Sequence, residues 1–303
     1  MRGADGRLPV RGSAPGCGGA GELRRETFSP KKEVFPLTDS IQILGARGST
    51  PVDGAQFARF GGQTVCCFLR LGGEKILLDA GSGMMQVDGC LSPEEKQLSL
   101  LLTHPHADHM IGLPLSPVVL RRAFRLDVYA AARGGLDARA QVCALLAPPL
   151  WPVGPEQLPA DFVFHPLPER FTIGSVTVES TEGLHPGGVS LLRLRSGGRS
   201  VVFATDCTLR EELLPRLTAF AADCDLLLID GQYSEAEWKT FSGFGHSTWA
   251  AAARFGARCG AKHTLILHHD PRRTDDELEA AEAEARRLNA ACSFARAGTE
   301  FIL

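Results

Sequence analysis

Residues 103–114 read T-H-P-H-A-D-H-M-I-G-L-P and place His104, His106, Asp108 and His109 in one short loop directly behind the apolar run 98–102. Alternation along an extended segment points His104 and His106 the same way. Asp108 and His109 fall where the chain turns toward a helix and can face a second position. Imidazole and carboxylate are donors that borderline divalent ions prefer, so the loop reads as a metal site shared by two ions. A polar loop that merely contains three histidines is the competing reading, and it gives no reason for the spacing.

The chain has 303 residues, 44% hydrophobic and 22% charged, with a net charge of −3 when histidines are neutral. That length supports a large core, and the near-neutral balance gives no global attraction for nucleic acid or anionic lipid. Nine cysteines lie mostly in apolar contexts without zinc-ribbon spacing, which predicts reduced, buried thiols and a cytoplasmic location. Cys66 and Cys67 are adjacent and should point to opposite faces of one strand. No apolar stretch is long enough to span a bilayer, so no membrane partner is expected. Residues 1–39, rich in Gly, Pro, Arg and Ser, show no hydrophobic period and read as a flexible tail, with 40–303 as the folded domain. Asp5, Glu22 and Glu26 argue against an organelle presequence there.

Short apolar runs at 41–44, 65–71, 75–78, 98–102 and 125–130 are bounded by turn residues and read as strands. A second series, 171–178, 189–194, 200–204, 226–229 and 263–267, is interleaved with helical stretches after Thr208, Ser247 and Thr274. The pattern is α/β, with two sheets and outer helices. Thr274 and Glu277 form a capping box for a helix with a solvated, charged face.

Loops between these strands offer the remaining ligands. His185 lies in E-G-L-H-P-G-G, where glycine and proline prevent regular structure and free the imidazole. Asp206 ends a strand in F-A-T-D-C, where its two oxygens could bridge two ions or its side chain could cap the next helix. His269 closes the last strand in L-H-H-D-P, and its neighbour His268 competes for the role; His269 is the preferred ligand.

Together these residues resemble the metallo-β-lactamase superfamily, whose motifs run strand-end Asp, then His-x-His-x-Asp-His, then His, Asp and His. The match spans roughly residues 40–303. The resemblance implies an αββα sandwich of two mixed sheets flanked by helices. It implies that His104, His106 and His185 hold one ion, Asp108, His109 and His269 the other, and that Asp206 bridges. Asp79, in L-L-D-A-G-S-G, matches the strand-end Asp that supports the metal loop. The implied cofactors are two divalent ions, zinc first, with manganese or iron as alternatives. Such a pair lowers the pKa of water from near 16 toward about 7, so hydrolysis by hydroxide held between the ions is the expected chemistry. Di-iron redox members carry an acid where His106 stands, which argues against them.

The segment L-G-A-R-G-S-T-P at 44–51 and G-G-Q-T at 61–64 are similar to the opening of phosphodiesterase-type members, including the phosphoribosyl cyclic phosphodiesterases. G-H-S-T-W at 245–249 is similar to an element of ribonuclease Z and the cyclic phosphodiesterases whose histidine lies near the scissile phosphate. Asp108 and His246 are therefore the candidate catalytic residues, His246 as the acid that protonates the leaving group, unless it only caps the following helix. Arg47 is a candidate phosphate contact, or equally a support for its own loop. Asp230, in L-I-D-G-Q-Y, is a candidate partner fixing the tautomer of a ligand histidine, with helix capping as its rival. His165 and His263 have no metal-like context.

The expected substrate is a small or cyclic phosphodiester. Ribonuclease Z-like action on RNA, and lactone, thioester or β-lactam hydrolysis, are the alternatives. Arg121, Arg122 and Arg125 form only a modest basic cluster, and 109–185 holds no long Gly- and Lys-rich arm like that of ribonuclease Z. The proline-rich segment 147–168 falls where the superfamily places variable loops near the site. A homodimer is compatible with the sequence.

Overall fold

A computed structural model describes residues 38–303, and the expected tail lies, up to residue 37, outside the described residues. One seven-stranded sheet has the order β14-β1-β2-β3-β4-β5-β6. Its strands are β1 (Ser40–Gly45), β2 (Cys66–Leu71), β3 (Glu74–Leu78), β4 (Gln97–Leu102), β5 (Arg125–Ala130), β6 (Asp161–Pro166) and β14 (Glu300–Ile302). The second, in the order β13-β12-β11-β10-β9-β8-β7, uses β7 (Arg170–Ile173), β8 (Val176–Gly183), β9 (Val189–Ser196), β10 (Arg199–Ala204), β11 (Leu226–Asp230), β12 (His263–Leu267) and β13 (Cys292–Phe294). The αββα sandwich expected from the motifs is the architecture observed.

The sheets meet through Ile41, Ile43, Leu69, Leu78, Leu101, Leu192, Phe203, Leu228 and Leu265, all fully buried or nearly so. Helices α2 (Leu214–Ala221), α4 (Trp249–Cys259) and α5 (Asp275–Leu288) cover the outer face of the second sheet. Over the first sheet lie α1 (Ala138–Leu145) and a series of 3-10 turns that supply Met84, Val87, Leu113 and Val118. Strands buried on both faces need apolar residues at every position, which is why L-S-L-L-L in β4 and L-L-L-I in β11 do not alternate. Cys66 and Cys67 do face opposite sides, toward the outer and the inter-sheet cores respectively. The described cysteines are unpaired, and burial pushes both of these thiols up.

The run 171–178, read as one strand, is a hairpin: β7 and β8 pair antiparallel across Gly174, whose φ of +50° lies in the left-handed region. The helix expected after Thr208 begins only at Leu214, with Pro215 in its first turn. Before it, Leu209 N–H is held by Ser247 Oγ at 2.9 Å. The capping box at Thr274 is present, with Thr274 accepting from Glu277 N–H. Strands β6, β13 and β14 and helices α1 and α3 (Glu235–Phe241) had no counterpart in the sequence reading; β6 occupies part of the segment taken as variable loop.

Two blocks of parallel strands decide where chemistry can occur. β3, β4, β5 and β6 are mutually parallel, as are β10, β11, β12 and β13. Their carboxyl ends deliver Asp79 after β3, His104 after β4, Asp206 after β10, Asp230 at the end of β11 and His268 after β12 to one edge of the sandwich. Ligands of parallel sheets bind at such ends because the loops there are free to vary.

Candidate metal centre

At this edge two groups of donors share Asp206. His104, His106, His185 and Asp206 form one; Asp108, His109, His268 and Asp206 form the other, with ligand atoms within 4.8 Å of one another in each. Asp206 Oδ2 lies 3.6 Å from both His104 Nε2 and His185 Nε2, whereas Oδ1 lies 3.2 Å from both His109 Nε2 and His268 Nε2. One carboxylate thus presents an oxygen to each group, the arrangement expected of a bridging ligand.

The outward nitrogens of the rings are fixed by the protein. Asp79 Oδ2 holds His109 Nδ1 at 2.8 Å, and Thr103 Oγ1, itself bonded to both Asp79 oxygens, lies 3.0 Å from His104 Nδ1. The Gly245 carbonyl holds His185 Nδ1 at 3.0 Å, and Gln232 Oε1 holds His268 Nδ1 at 3.1 Å. Each contact leaves Nε2 facing inward, the usual way to set a metal ligand's tautomer and aim. His104 Nε2 and His109 Nε2 are buried with no hydrogen-bond partner.

Those orphaned nitrogens test whether metal ions fit. The groups also hold the buried Asp206 carboxylate and the largely buried Asp108, backed by the fully buried Asp79. Three carboxylates gathered in so little water-exposed space are costly unless positive charge faces them, so the cluster calls for it. Burial lowers the His268 imidazole, but Asp206 and the Asp108 and Asp230 carboxylates outweigh it and push it up to about 9. Burial raises and the surrounding histidines more than reverse the shift at Asp206, holding it well below the usual carboxylate range. Divalent cations would supply that charge and partner the empty nitrogens, so the donor set fits metal ions.

Backbone strain concentrates here. Among described non-glycine residues, Ser49 (φ +62°), Asp79 (+60°), Asp206 (+50°) and His268 (+62°) adopt left-handed backbone angles at the site, with only Ala123 and Asp223 doing so elsewhere. Such strain turns a strand-end side chain sharply toward the cleft. Gly48 must remain glycine for a related reason, since a Cβ there would stand 2.2 Å from His268 Nδ1.

The expectation at the end of β12 is corrected. His269 does not join either group; His268 does. His269 continues the extended backbone, its N–H donating to Ala46 O, and its ring turns away to stack on Phe294 at 5.2 Å and meet Phe60 edge-on. Its Nε2 lies 2.8 Å from Ala295 O, and burial pushes its pKa down to about 3. The left-handed turn at His268 is what swaps the two rings. His268→Ala is expected to remove one metal equivalent and cut turnover at least about 10-fold to 100-fold, as loss of a well-oriented donor does, while His269→Phe keeps both equivalents by elemental analysis. The opposite pattern would restore His269.

Arg47 is not presented to a substrate. Its side chain is fully buried, with Nε donating to Gly61 O at 2.9 Å, Nη1 to Arg273 O at 2.7 Å and Nη2 3.7 Å from Asp275 Oδ1. It ties the loop after β1 to the start of α5. Removing one partner of a buried pair costs about 3–5 kcal/mol, so Arg47→Ala should lower the urea midpoint sharply. A midpoint within error of the wild type would contradict this role.

His246 and Asp230 come together as a pair. His246 Nδ1 lies 2.8 Å from Asp230 Oδ2, and the His246 ring stacks on His268 at 4.7 Å and lies 5.1 Å from His185. Asp230 therefore orients His246 rather than a ligand histidine, and its Oδ1 also accepts from Gln232 N–H at 3.0 Å. The helix following is capped by Thr248, not by His246. Sequence reasoning missed Thr103, Gln232, the Gly245 carbonyl and Ser49, whose N–H donates to Asp108 Oδ2 at 2.7 Å. All four lie within or beside the motif stretches of the chain, Ser49 in L-G-A-R-G-S-T-P and Gln232 in L-I-D-G-Q-Y, but the contacts that give Ser49 and Gln232 their roles are to residues distant in sequence. His165 pairs with Asp127 at 2.7 Å and His263 with Ser293 at 2.7 Å, both outside the site.

Residues 74–269 match the family described as the beta-lactamase superfamily domain, and the chain belongs to that family. Among curated proteins it is 26% identical over 271 residues to a ribonuclease Z of Bradyrhizobium diazoefficiens, covering 71% of this chain and 86% of that one. Among solved structures, the metallo-beta-lactamase fold protein YhfI of Bacillus subtilis superposes with a TM-score of 0.66 at 18% identity, covering 87% of this chain and 98% of that one. A diphosphatase from the PhnP family gives 0.65 at 17%, covering 88% and 98%. Fold, family and donor set together define a metal-dependent hydrolase. Among the described residues, no helix is long and apolar enough to cross a membrane.

Proposed function

We propose that this chain hydrolyses phosphodiesters, with a small or cyclic diester as substrate, two divalent ions as cofactors, zinc first, and the cytoplasm as its setting. The observation that carries the reading is the Asp230-held His246 beside the two donor groups, a proton donor placed next to a charge-stabilising centre. His104, His106 and His185 would hold one ion, Asp108, His109 and His268 the other, with Asp206 between them. Two ions bound there lower the pKa of water toward about 7 and neutralise charge on the attacking and leaving oxygens of a phosphate.

The chain's own residues supply the rest. Asp230 accepts the hydrogen bond from His246 Nδ1 and complements the ring's charge when both nitrogens are protonated. Nε2–H then gives its proton to the leaving oxygen as the bond from phosphorus to that oxygen breaks. Ser49 N–H and His268 Nε2 both contact Asp108 Oδ2 and keep its carboxylate aimed inward. All these residues come from one chain, so the reading is the same for a monomer and a homodimer.

RNA processing is the second reading, favoured by the ribonuclease Z name of the curated relative. Against it, two of the three clustered arginines are spent on acids: Arg121 on Asp88 at 2.6 Å and Arg125 on Asp127 at 2.7 Å. Among the described residues, that leaves Arg122 as the one arginine of this cluster without a carboxylate partner for a polynucleotide backbone to displace. The deciding experiment compares bis(p-nitrophenyl) phosphate with p-nitrophenyl phosphate, a lactone, a thioester and a precursor transfer RNA, with metal-analysed protein. Diester turnover that a chelator abolishes and added zinc or manganese restores supports the proposal. Turnover of the lactone or thioester alone would overturn it.

A further inference from the structure

An aromatic series leads outward from His246. The Tyr233 ring meets His246 edge-on at 5.9 Å, Phe241 stacks on Tyr233 at 5.2 Å, and Phe244 lies 5.7 Å beyond. Arg272 lies over Phe241 at 5.3 Å while paired to Asp270, so the series carries a fixed cation at its side. Phe244 is 59% exposed, which is unusual for a phenylalanine only two residues from a buried catalytic candidate.

The position of Phe244 is fixed by the turn that builds the site. Gly245 has φ +92°, its carbonyl holds His185, and a Cβ there would stand 2.3 Å from both His185 Nδ1 and Pro186 Cδ. The next residue, His246, is anchored by Asp230 and by its own carbonyl, which accepts from Trp238 Nε1 at 3.1 Å. Phe244 is therefore the first residue outside a turn locked on both sides, with exposed Leu184 and Pro186 on the opposing loop. If the loop only needed to close the fold, a polar residue would serve at no solvation cost.

We propose that Phe244, backed by Phe241, is a specificity-determining residue that receives a planar ring carried on the leaving group of the substrate. This rests on the phosphodiesterase reading and on His246 acting on the leaving side, because the shelf begins at that histidine. The ring's chemistry follows from the surface. The exposed Phe244 ring, braced by Phe241, offers stacking and no hydrogen-bond donor, so it selects for flatness and aromaticity, as in a nucleobase, and tolerates different bases.

The test uses two diesters with the same phosphoryl side and different leaving alcohols, uridylyl-(3′→5′)-adenosine and uridine 3′-(methyl phosphate). The wild-type protein is expected to favour the first in kcat/KM. In Phe244→Ala that preference should fall about tenfold, chiefly through KM, in line with the loss of one base-stacking contact. Phe244→Trp should retain it, and turnover of the methyl ester should be equal in all three. A preference unchanged by Phe244→Ala, or an equal loss on both diesters, overturns the shelf while leaving the phosphodiesterase reading standing. Failure to cleave either diester, or bis(p-nitrophenyl) phosphate, overturns both.

Discussion

Asp206→Asn is expected to leave a folded protein that retains at most one equivalent of divalent metal and loses on the order of 10³ or more in kcat. The argument starts from geometry: Oδ2 serves the His104 and His185 side and Oδ1 the His109 and His268 side, so Asp206 is the one donor common to both groups. Asparagine keeps the shape, and the hydrogen bond from Thr205 Oγ1 at 2.7 Å can persist. What it loses is the negative charge and one of the two anionic oxygens. Charge stabilisation by a bound ion is worth several kcal/mol in the transition state, and each 1.36 kcal/mol is tenfold in rate. Metal analysis after dialysis, beside circular dichroism, separates loss of ions from loss of fold. Two equivalents retained with turnover near wild type would sink the bridging role.

Much of this centre was legible because its donors sit at strand ends, where a short apolar run followed by Asp or His is visible in the chain. The loop 103–114 gives four donors at once, and the structure brings all four into the two groups with His185 and Asp206. The parallel strands β4, β11 and β12 were legible for the same reason, since burial on both faces leaves uninterrupted apolar runs. The exchange of the two neighbouring histidines has a local origin. Alternation gives the side of an extended residue only while the backbone remains extended, and His268 takes φ +62°, which reverses the expected order of His268 and His269. Nothing in L-H-H-D-P announces that turn.

Arg47 was open to two readings because an arginine beside a glycine-rich loop suits both a phosphate and a ring of carbonyls. Its partners Gly61, Arg273 and Asp275 are distant in sequence and meet only in the fold. Gln232 was invisible for a similar reason: its contacts to His268 and Ser49 join three loops. Short β13 and β14 carry too few residues for a period to show, and they exist because β12 and β1 offer free edges to pair with.

His246→Ala provides the second large effect, and its size should depend on the leaving group. A residue that only caps or packs would affect all substrates alike. A proton donor matters most when the leaving oxygen is a poor anion. For a diester with an alkyl leaving group, loss of His246 should reduce kcat by about 10² to 10⁴, the usual worth of general acid catalysis. For bis(p-nitrophenyl) phosphate, whose leaving group departs readily as the anion, the reduction should be far smaller, and metal content should be unchanged because none of the proposed ligands is touched. Asp230→Asn should reproduce the same selectivity in weaker form, since it frees His246 without removing it; its Oδ1 contact to Gln232 N–H is one an amide oxygen can keep. Equal losses on both diesters would make His246 a structural residue and move the source of the leaving-group proton to water. A loss confined to the alkyl ester would assign the proton to His246 and, with it, fix which side of the phosphate faces Phe244.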